Sequence, residues 1–177
     1  MFLDLLRSRR SVRQFDSKPV EKDKIDLLIE AMLRAPSSRS LNPWEFVVIR
    51  DPGTLSDLAQ AKPHGASFIK NAPLAIVVCG DADKSDVWVE DCSIAALIGH
   101  LTAADLGLGS CWVQLRKRDH DDQTTSDQYV KKLLGLAENI MVEAVLAIGY
   151  PKEDKPGHAE SSLLYDKVSY EKYGQKQ

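Results

Sequence analysis

The sequence predicts an α+β fold: one domain built on a mixed, mostly antiparallel central sheet flanked by helices. Three observations carry that expectation. The chain has 177 residues, 44% hydrophobic and 28% charged, which is ordinary globular usage and enough for one sizeable core. Strand-like apolar runs alternate irregularly with runs of helical period, rather than in a repeated strand–helix unit. After Pro151 the composition turns polar and turn-rich. Residues 1–150 therefore read as the core, and residues 151–177 as an extension that must lie on a surface, because it cannot build a core of its own.

Each element follows from its local pattern. Residues 2–9 read as a short helix running into arginines. In EKDKIDLLIEAMLRAPSS, residues 21–38, Ile25, Leu28, Ile29 and Met32 recur at helical spacing. Pro36 closes that helix, since the residue before a proline is driven out of the helical region. WEFVVIRD (44–51) is rich in aromatic and β-branched residues and reads as a strand. TLSDLAQA (54–61) is a short helix. APLAIVVCGD (72–81) is an almost unbroken apolar run, the mark of a strand buried on both faces. Residues 86–106 form the longest helix, stopped at Gly107 and Gly109. CWVQL (111–115) is a short strand, DQYVKKLLGL (127–136) a helix and VEAVLAIGY (142–150) the last core strand. The tail LLYDKVSYEKYG (163–174) has the residue types of an extended strand. Ala95, Gly99 and Ala103 place small residues on one stripe of the long helix; this suits either a close helix contact across a dimer axis or a contact within the chain.

The totals exclude several classes. Lys and Arg number 23 and Asp and Glu 26, giving a formal charge of −3. That balance argues against a nucleic-acid or membrane-surface partner, both of which favour broad basic faces. Cys79, Cys92 and Cys111 are odd in number and form no Cys-x-x-Cys, so neither a disulfide framework nor a zinc site is expected. A reducing, cytoplasmic setting follows, and the N-terminus has no apolar run of signal-peptide length. His64, His100, His120 and His158 have no metal-ligand spacing. There is no Gly-x-Gly-x-x-Gly, Walker loop, His-Glu-x-x-His or Gly-x-Ser-x-Gly. With no protein-based catalytic machinery visible, a bound cofactor is expected to carry any reaction.

Four stretches remain as candidates. RSRRSVRQF, residues 7–15, holds Arg7, Arg9, Arg10 and Arg13. These are either a solvated helix end or, with Ser11, a phosphate site, since guanidinium forks bind phosphate bidentately. APSSRSLNPWEF (35–46) is either a plain connection or a loop whose short polar groups hold the edge of a planar ligand. GLGSCWVQLRKR (107–118) offers close-approaching glycines and Gln114, or simply a buried strand. IGYPKEDKPGH (148–158) puts Lys152, Lys155 and His158 where they either complete an anion site or face solvent.

In this order and at these spacings the four stretches resemble the flavin-dependent nitroreductase family, over nearly the whole chain. RRSVRQF is similar to its N-terminal flavin mononucleotide (FMN) motif, PSSRSLNPWEF to its Pro-Ser-Ser and Asn-Pro-Trp signature, LGLGSCWV to its ring-facing segment and IGYPKEDKP to its Gly-Tyr-Pro segment. The resemblance implies an intertwined nitroreductase-like homodimer, with the C-terminal extension wrapping the partner and FMN at the subunit interface. It implies that Arg9, Arg10, Ser11 and Arg13 hold the phosphate, ribityl and pyrimidine side. Pro36, Ser37, Ser38, Ser40 and Asn42 would approach from the other chain. Cys111, Trp112, Val113 and Gln114 would lie along the ring, and Lys155 and His158 near the phosphate. Lys62, His64 and Lys70 all stay open for a further polar contact. The implied activity is ping-pong hydride transfer from NAD(P)H through the flavin to nitroaromatic, quinone or similar acceptors. A dehalogenating or flavin-processing branch of the fold, a non-catalytic flavin carrier and a flavin-free anion-binding module are the alternatives.

Overall fold

The computed structural model describes residues 1–177. Four strands form one sheet: β1 (Trp44–Ile49), β2 (Leu74–Asp81), β3 (Gly109–Gln114) and β4 (Ile140–Gly149), in the order β1-β2-β4-β3. All three strand pairs are antiparallel, so the mixed character expected of the sheet is confined to one parallel bridge, between Ser11 and Ser110. The central strands β2 and β4 are the most apolar and the most buried; β1 and β3 are the edges.

The helices are α1 (Phe2–Ser8), α2 (Lys22–Leu33), α3 (Pro52–Leu58), α4 (Trp88–Asp105) and α5 (Ser126–Leu134). They divide between the two faces by the alternation of the central strands. Leu74, Ile76 and Val78 meet Leu28 and Met32 of α2 and Cys92, Ala95 and Ala96 of α4. Ala75, Val77 and Cys79 meet Leu55 and Leu58 of α3 and Val130 of α5. Helix α5 starts on a capping box between Thr125 and Gln128 and stops at Gly135, whose φ of 66° is left-handed. Helix α2 ends at Leu33, earlier than its pattern suggests, because the chain is already turning towards Pro36.

One open alternative is decided, and the tail differs from its pattern within this chain. The stripe Ala95, Gly99 and Ala103 is buried inside the chain: a Cβ on Gly99 would fall 2.8 Å from Met32 Sδ, so the small residues admit α2 rather than a second copy of α4. The face of α4 that stays open carries Ile94 and Leu97 instead. The tail forms no strand. It holds two short 3-10 turns, Glu160–Ser162 and Tyr165–Lys167, because no free strand edge of the same chain meets it. Leu163, Leu164, Tyr165, Val168, Tyr170 and Tyr173 are all exposed. No helix is long and apolar enough to cross a membrane.

Candidate cofactor site

The site forms where residues 9–16 lie along the outer edge of β3. Gly109 makes that approach feasible: a Cβ there would sit 2.8 Å from Val12 Cβ. The segment is then fixed by backbone bonds from Val12 N to Ser110 O (3.0 Å), Asp16 N to Tyr150 O (2.8 Å) and Lys152 N to Gln14 O (2.9 Å). Residues 153–157 close over it from the other side. Arg10 Nη1 donates to Pro156 O, and Gly157 lies so close to the Arg7 carbonyl that no side chain fits there.

Two residues that the motifs did not single out organise the arginines. His100, on α4 and only 8% exposed, stands 2.8 Å from Arg9 Nη1 through its Nε2. A guanidinium only donates, so Nε2 accepts and Nδ1 carries the proton toward Ser110 Oγ. Burial, then the Arg9 charge, lowers the His100 pKa to about 4, which keeps the ring neutral. Glu153 is the second organiser. Its Oε1 accepts from Arg13 N (2.8 Å), Gln14 N (3.3 Å) and Lys155 Nζ (2.8 Å), and these bonds, led by the Arg13 amide, lower its pKa. Lys155 Nζ also reaches Ser11 O at 3.3 Å. In the sequence His100 is a polar interruption of an apolar helical stretch, and Glu153 is one of two acids between Lys152 and Lys155. Each oddity was a usable signal.

Around these groups runs a cleft of about 230 Å³, bounded by Arg9, Arg10, Gly107, Ser110 and Lys155. No carboxylate lies within 4.0 Å of the guanidinium groups of Arg9, Arg10 or Arg13. Arg9 has five N–H donors, and the chain offers it one acceptor. This donor set fits a phosphate.

The ring-facing stretch is the outer edge of β3. Ser110 O and Gln114 O both point outward, where they accept from Val12 N and Lys62 Nζ (3.0 Å). By the two-residue alternation of a strand, Trp112 N–H faces the same way, out from the sheet edge. Gln114 itself is bonded within the chain: its Oε1 accepts from Trp112 Nε1 at 2.8 Å, and its Nε2 donates to Arg116 O at 3.0 Å. Each end of the Gln114 amide keeps one donor or acceptor site, so this stretch can offer them beside its backbone. Cys111 and Val113 are buried behind it, and burial raises the Cys111 thiol against the pull of Arg13, Lys155 and Lys62. Of the three open candidates, Lys62 is at this edge, its pKa lowered first by burial and then by Arg118. Lys70 lines a different depression, and His64 is exposed.

Residues 36–42 do not join the cluster within one chain. Ser38 N donates to Asp91 Oδ1 at 2.8 Å, Arg39 pairs with Asp86, and Ser37 Oγ bonds Asn42 Oδ1 at 2.6 Å. Arg39, Ser40 and Asn42 all take positive φ, which turns the loop sharply and leaves Pro36 and Ser40 exposed. Asp91 and His100 are nine residues apart on α4, so loop and arginines are separated by about 13 Å along that helix. His158 is exposed.

The Nitroreductase family model matches residues 6–62 and 53–150. A solved structure of an FMN-dependent nitroreductase from Clostridium difficile R20291 superposes with a TM-score of 0.95 at 44% identity, covering 97% of this chain and 99% of that one. A protein of Archaeoglobus fulgidus, provisionally named NADH dehydrogenase/NAD(P)H nitroreductase, is 34% identical over 176 residues, 97% of this chain and 98% of its own. More distantly, an iodotyrosine deiodinase of Thermotoga neapolitana is 23% identical over 190 residues, 93% of this chain and 96% of its own.

Proposed function

Because the chain belongs to the nitroreductase family, we propose that it is an FMN-dependent oxidoreductase. In this reading it moves hydride from NADH or NADPH to nitroaromatic, quinone or similar acceptors in two alternating half-reactions. The observation that carries the reading is the group of arginines, unpaired with any carboxylate, held against the edge of β3.

The chemistry FMN supplies when bound is two-electron hydride acceptance and release. The chain's own residues bind, orient and tune. Arg9, fixed through one donor by His100, turns the rest toward a phosphate of about −1.5 to −2 charge. Arg10, Lys155 and the Ser11 hydroxyl complete that end. Arg13 places a positive charge at the pyrimidine end, which favours electron uptake. The outward backbone of Trp112 and Gln114 would meet the edge of the ring, and the buried side chains of Cys111 and Val113 make that strand dry and firm. No side chain is assigned the role of nucleophile, and the buried, raised Cys111 thiol suits none.

The active form in this reading is a homodimer. Its support is the apolar surface one chain leaves uncovered: Phe2 and Leu6 of α1, Ile94 and Leu97 of α4, and the aromatic tail 163–173. A second copy bringing Pro36, Ser37, Ser38, Ser40 and Asn42 to these arginines would complete the site. Three free, buried thiols suit work in the cytoplasm.

The test is direct. Purified from flavin-replete cells, the protein should be a yellow dimer holding one FMN per chain, and anaerobic NADH or NADPH should bleach it. A colourless monomer overturns the reading. A yellow protein that neither NADH nor NADPH bleaches makes it a carrier instead.

A further inference from the structure

A second cationic depression, of about 640 Å³, lies on the far side of Arg13 from the cleft at Arg9. It is enclosed by residues 13–17, the end of β1 at Arg50, the turn ending at Lys70 and Asn71, and Lys152. Its floor is apolar and firm, with Phe15 only 6% exposed. Its rim carries Arg13, Arg50, Lys70 and Lys152 against a single acid, Asp16. Asp16 Oδ1 is turned to the backbone N–H of Lys18 at 2.8 Å, and none of the four cations has a carboxylate within 4.0 Å. In a chain of formal charge −3, four uncompensated cations around one hollow are a local excess that mutual repulsion opposes.

We infer that this depression receives the phosphate groups of the nicotinamide dinucleotide, and that its cations favour NADPH over NADH. The inference rests on the reading above, in which a reduced dinucleotide supplies the hydride. Three points lead to it. The volume falls in the range of small-molecule sites. The sequence lacks the glycine-rich turn with which a dinucleotide fold cradles a pyrophosphate on backbone amides, so side-chain cations must meet those phosphates here. Finally, the two hollows share one segment: Arg13 lines this one, and Arg9 and Arg10, four and three residues earlier, line the cleft. A dinucleotide with its nicotinamide at the cofactor has this basic hollow beside it for its phosphates. The 2′-phosphate adds about −1.5 to −2 charge, which Arg50, Lys70 and Lys152 are present in number to meet.

The test uses the purified holoprotein and the variant R50S/K70S/K152S, which leaves Arg9, Arg10, Arg13 and Lys155 untouched. Adenosine 2′,5′-bisphosphate is titrated calorimetrically at low salt, with 5′-AMP as reference. The wild type should bind the bisphosphate at least tenfold more tightly than 5′-AMP, and added salt should weaken it. The variant should keep its FMN and its kcat, lose that preference, and show a KM for NADPH raised about tenfold, equivalent to about 1.4 kcal/mol, with KM for NADH moving less. Equal binding of the bisphosphate by variant and wild type, or an unchanged KM for NADPH, overturns the inference while leaving a yellow, bleachable enzyme intact. A colourless chain that still binds the bisphosphate through these three residues would instead sink the flavoenzyme reading and leave the anion site standing.

Discussion

Arg9 Nη1 meets His100 Nε2 at 2.8 Å, an arginine on the N-terminal segment held by a neutral histidine from the middle of α4. The bond commits one donor of Arg9 and aims the others. His100→Leu should therefore weaken FMN binding about tenfold, roughly 1.4 kcal/mol, while His100→Gln, which keeps an acceptor, should recover most of it. Fluorescence titration of the apoprotein with FMN reads both variants. Equal affinities for Leu, Gln and wild type would sink the positioning role.

The same histidine sets an acid sensitivity. Its pKa is about 4 in the folded chain against 6.5 when unperturbed, so between those values the unfolded chain binds the extra proton. Stability is complete above pH 6.5 and falls as pH drops to 4, by about 3 kcal/mol from this group. Urea melts from pH 8 to pH 4 should show that slope in the wild type and a smaller one in His100→Leu.

Gly109→Ala adds a methyl 2.8 Å from Val12 Cβ. Backbone and side chain must part, which costs about 1–3 kcal/mol and lifts residues 11–13 off β3. The expected result is a lower Tm together with lost flavin. A Tm and yellow colour both equal to wild type would show that the contact is not as tight as described.

Arg13→Ala should leave the circular dichroism unchanged, since this exposed side chain forms no ion pair within the chain. Its loss should make the bound flavin harder to reduce. The shift is expected to be some tens of millivolts, at ~30 mV for each ~1.4 kcal/mol of a two-electron couple. Dye-linked redox titration measures it, and a midpoint equal to that of the wild type would remove Arg13 from the ring's neighbourhood.

Glu143, on β4, is buried with its Oε2 lacking a hydrogen bond, and Arg116 Nε stands 3.9 Å away. Burial raises its pKa, so the folded chain holds the proton after the unfolded chain has released it. The cost of ionising it grows as pH rises above 4.5, its unperturbed value. Glu143→Gln should therefore gain about 1 kcal/mol at pH 8 and little at pH 4, read from urea melts. A loss of stability at pH 8 would show that Arg116 compensates the charge in full.

Much of the fold was legible because its signals are local. The unbroken apolar run at 74–81 could only be a central strand, and the Ile25, Leu28 and Met32 spacing could only be one helical face. The tail's aromatic and β-branched residues favour a strand only where another strand waits, and none does within this chain. The stripe at Ala95, Gly99 and Ala103 fitted two partners equally, and the bulk of Met32 decided between them. In the site, the arginines stood out as a cluster of like charge. His100 and Glu153 did not, because their importance lies in contacts across 91 and 140 residues of sequence. Gln114 stood out by its polarity, but its bonds to the Trp112 indole and the Arg116 carbonyl could not be read from the sequence.

The strap at 153–157 over residues 7–14 has a consequence for synthesis. The ribosome makes the arginine arm well before the segment that straps it down. Until about residue 157 has emerged from the exit tunnel, a nascent chain can hold the arm through Ser110, His100 and Tyr150 but lacks the strap's bonds to Arg10, Arg13 and Gln14. A chain that stalls before Pro151 therefore lacks the contacts that Glu153 and Pro156 make to the arm.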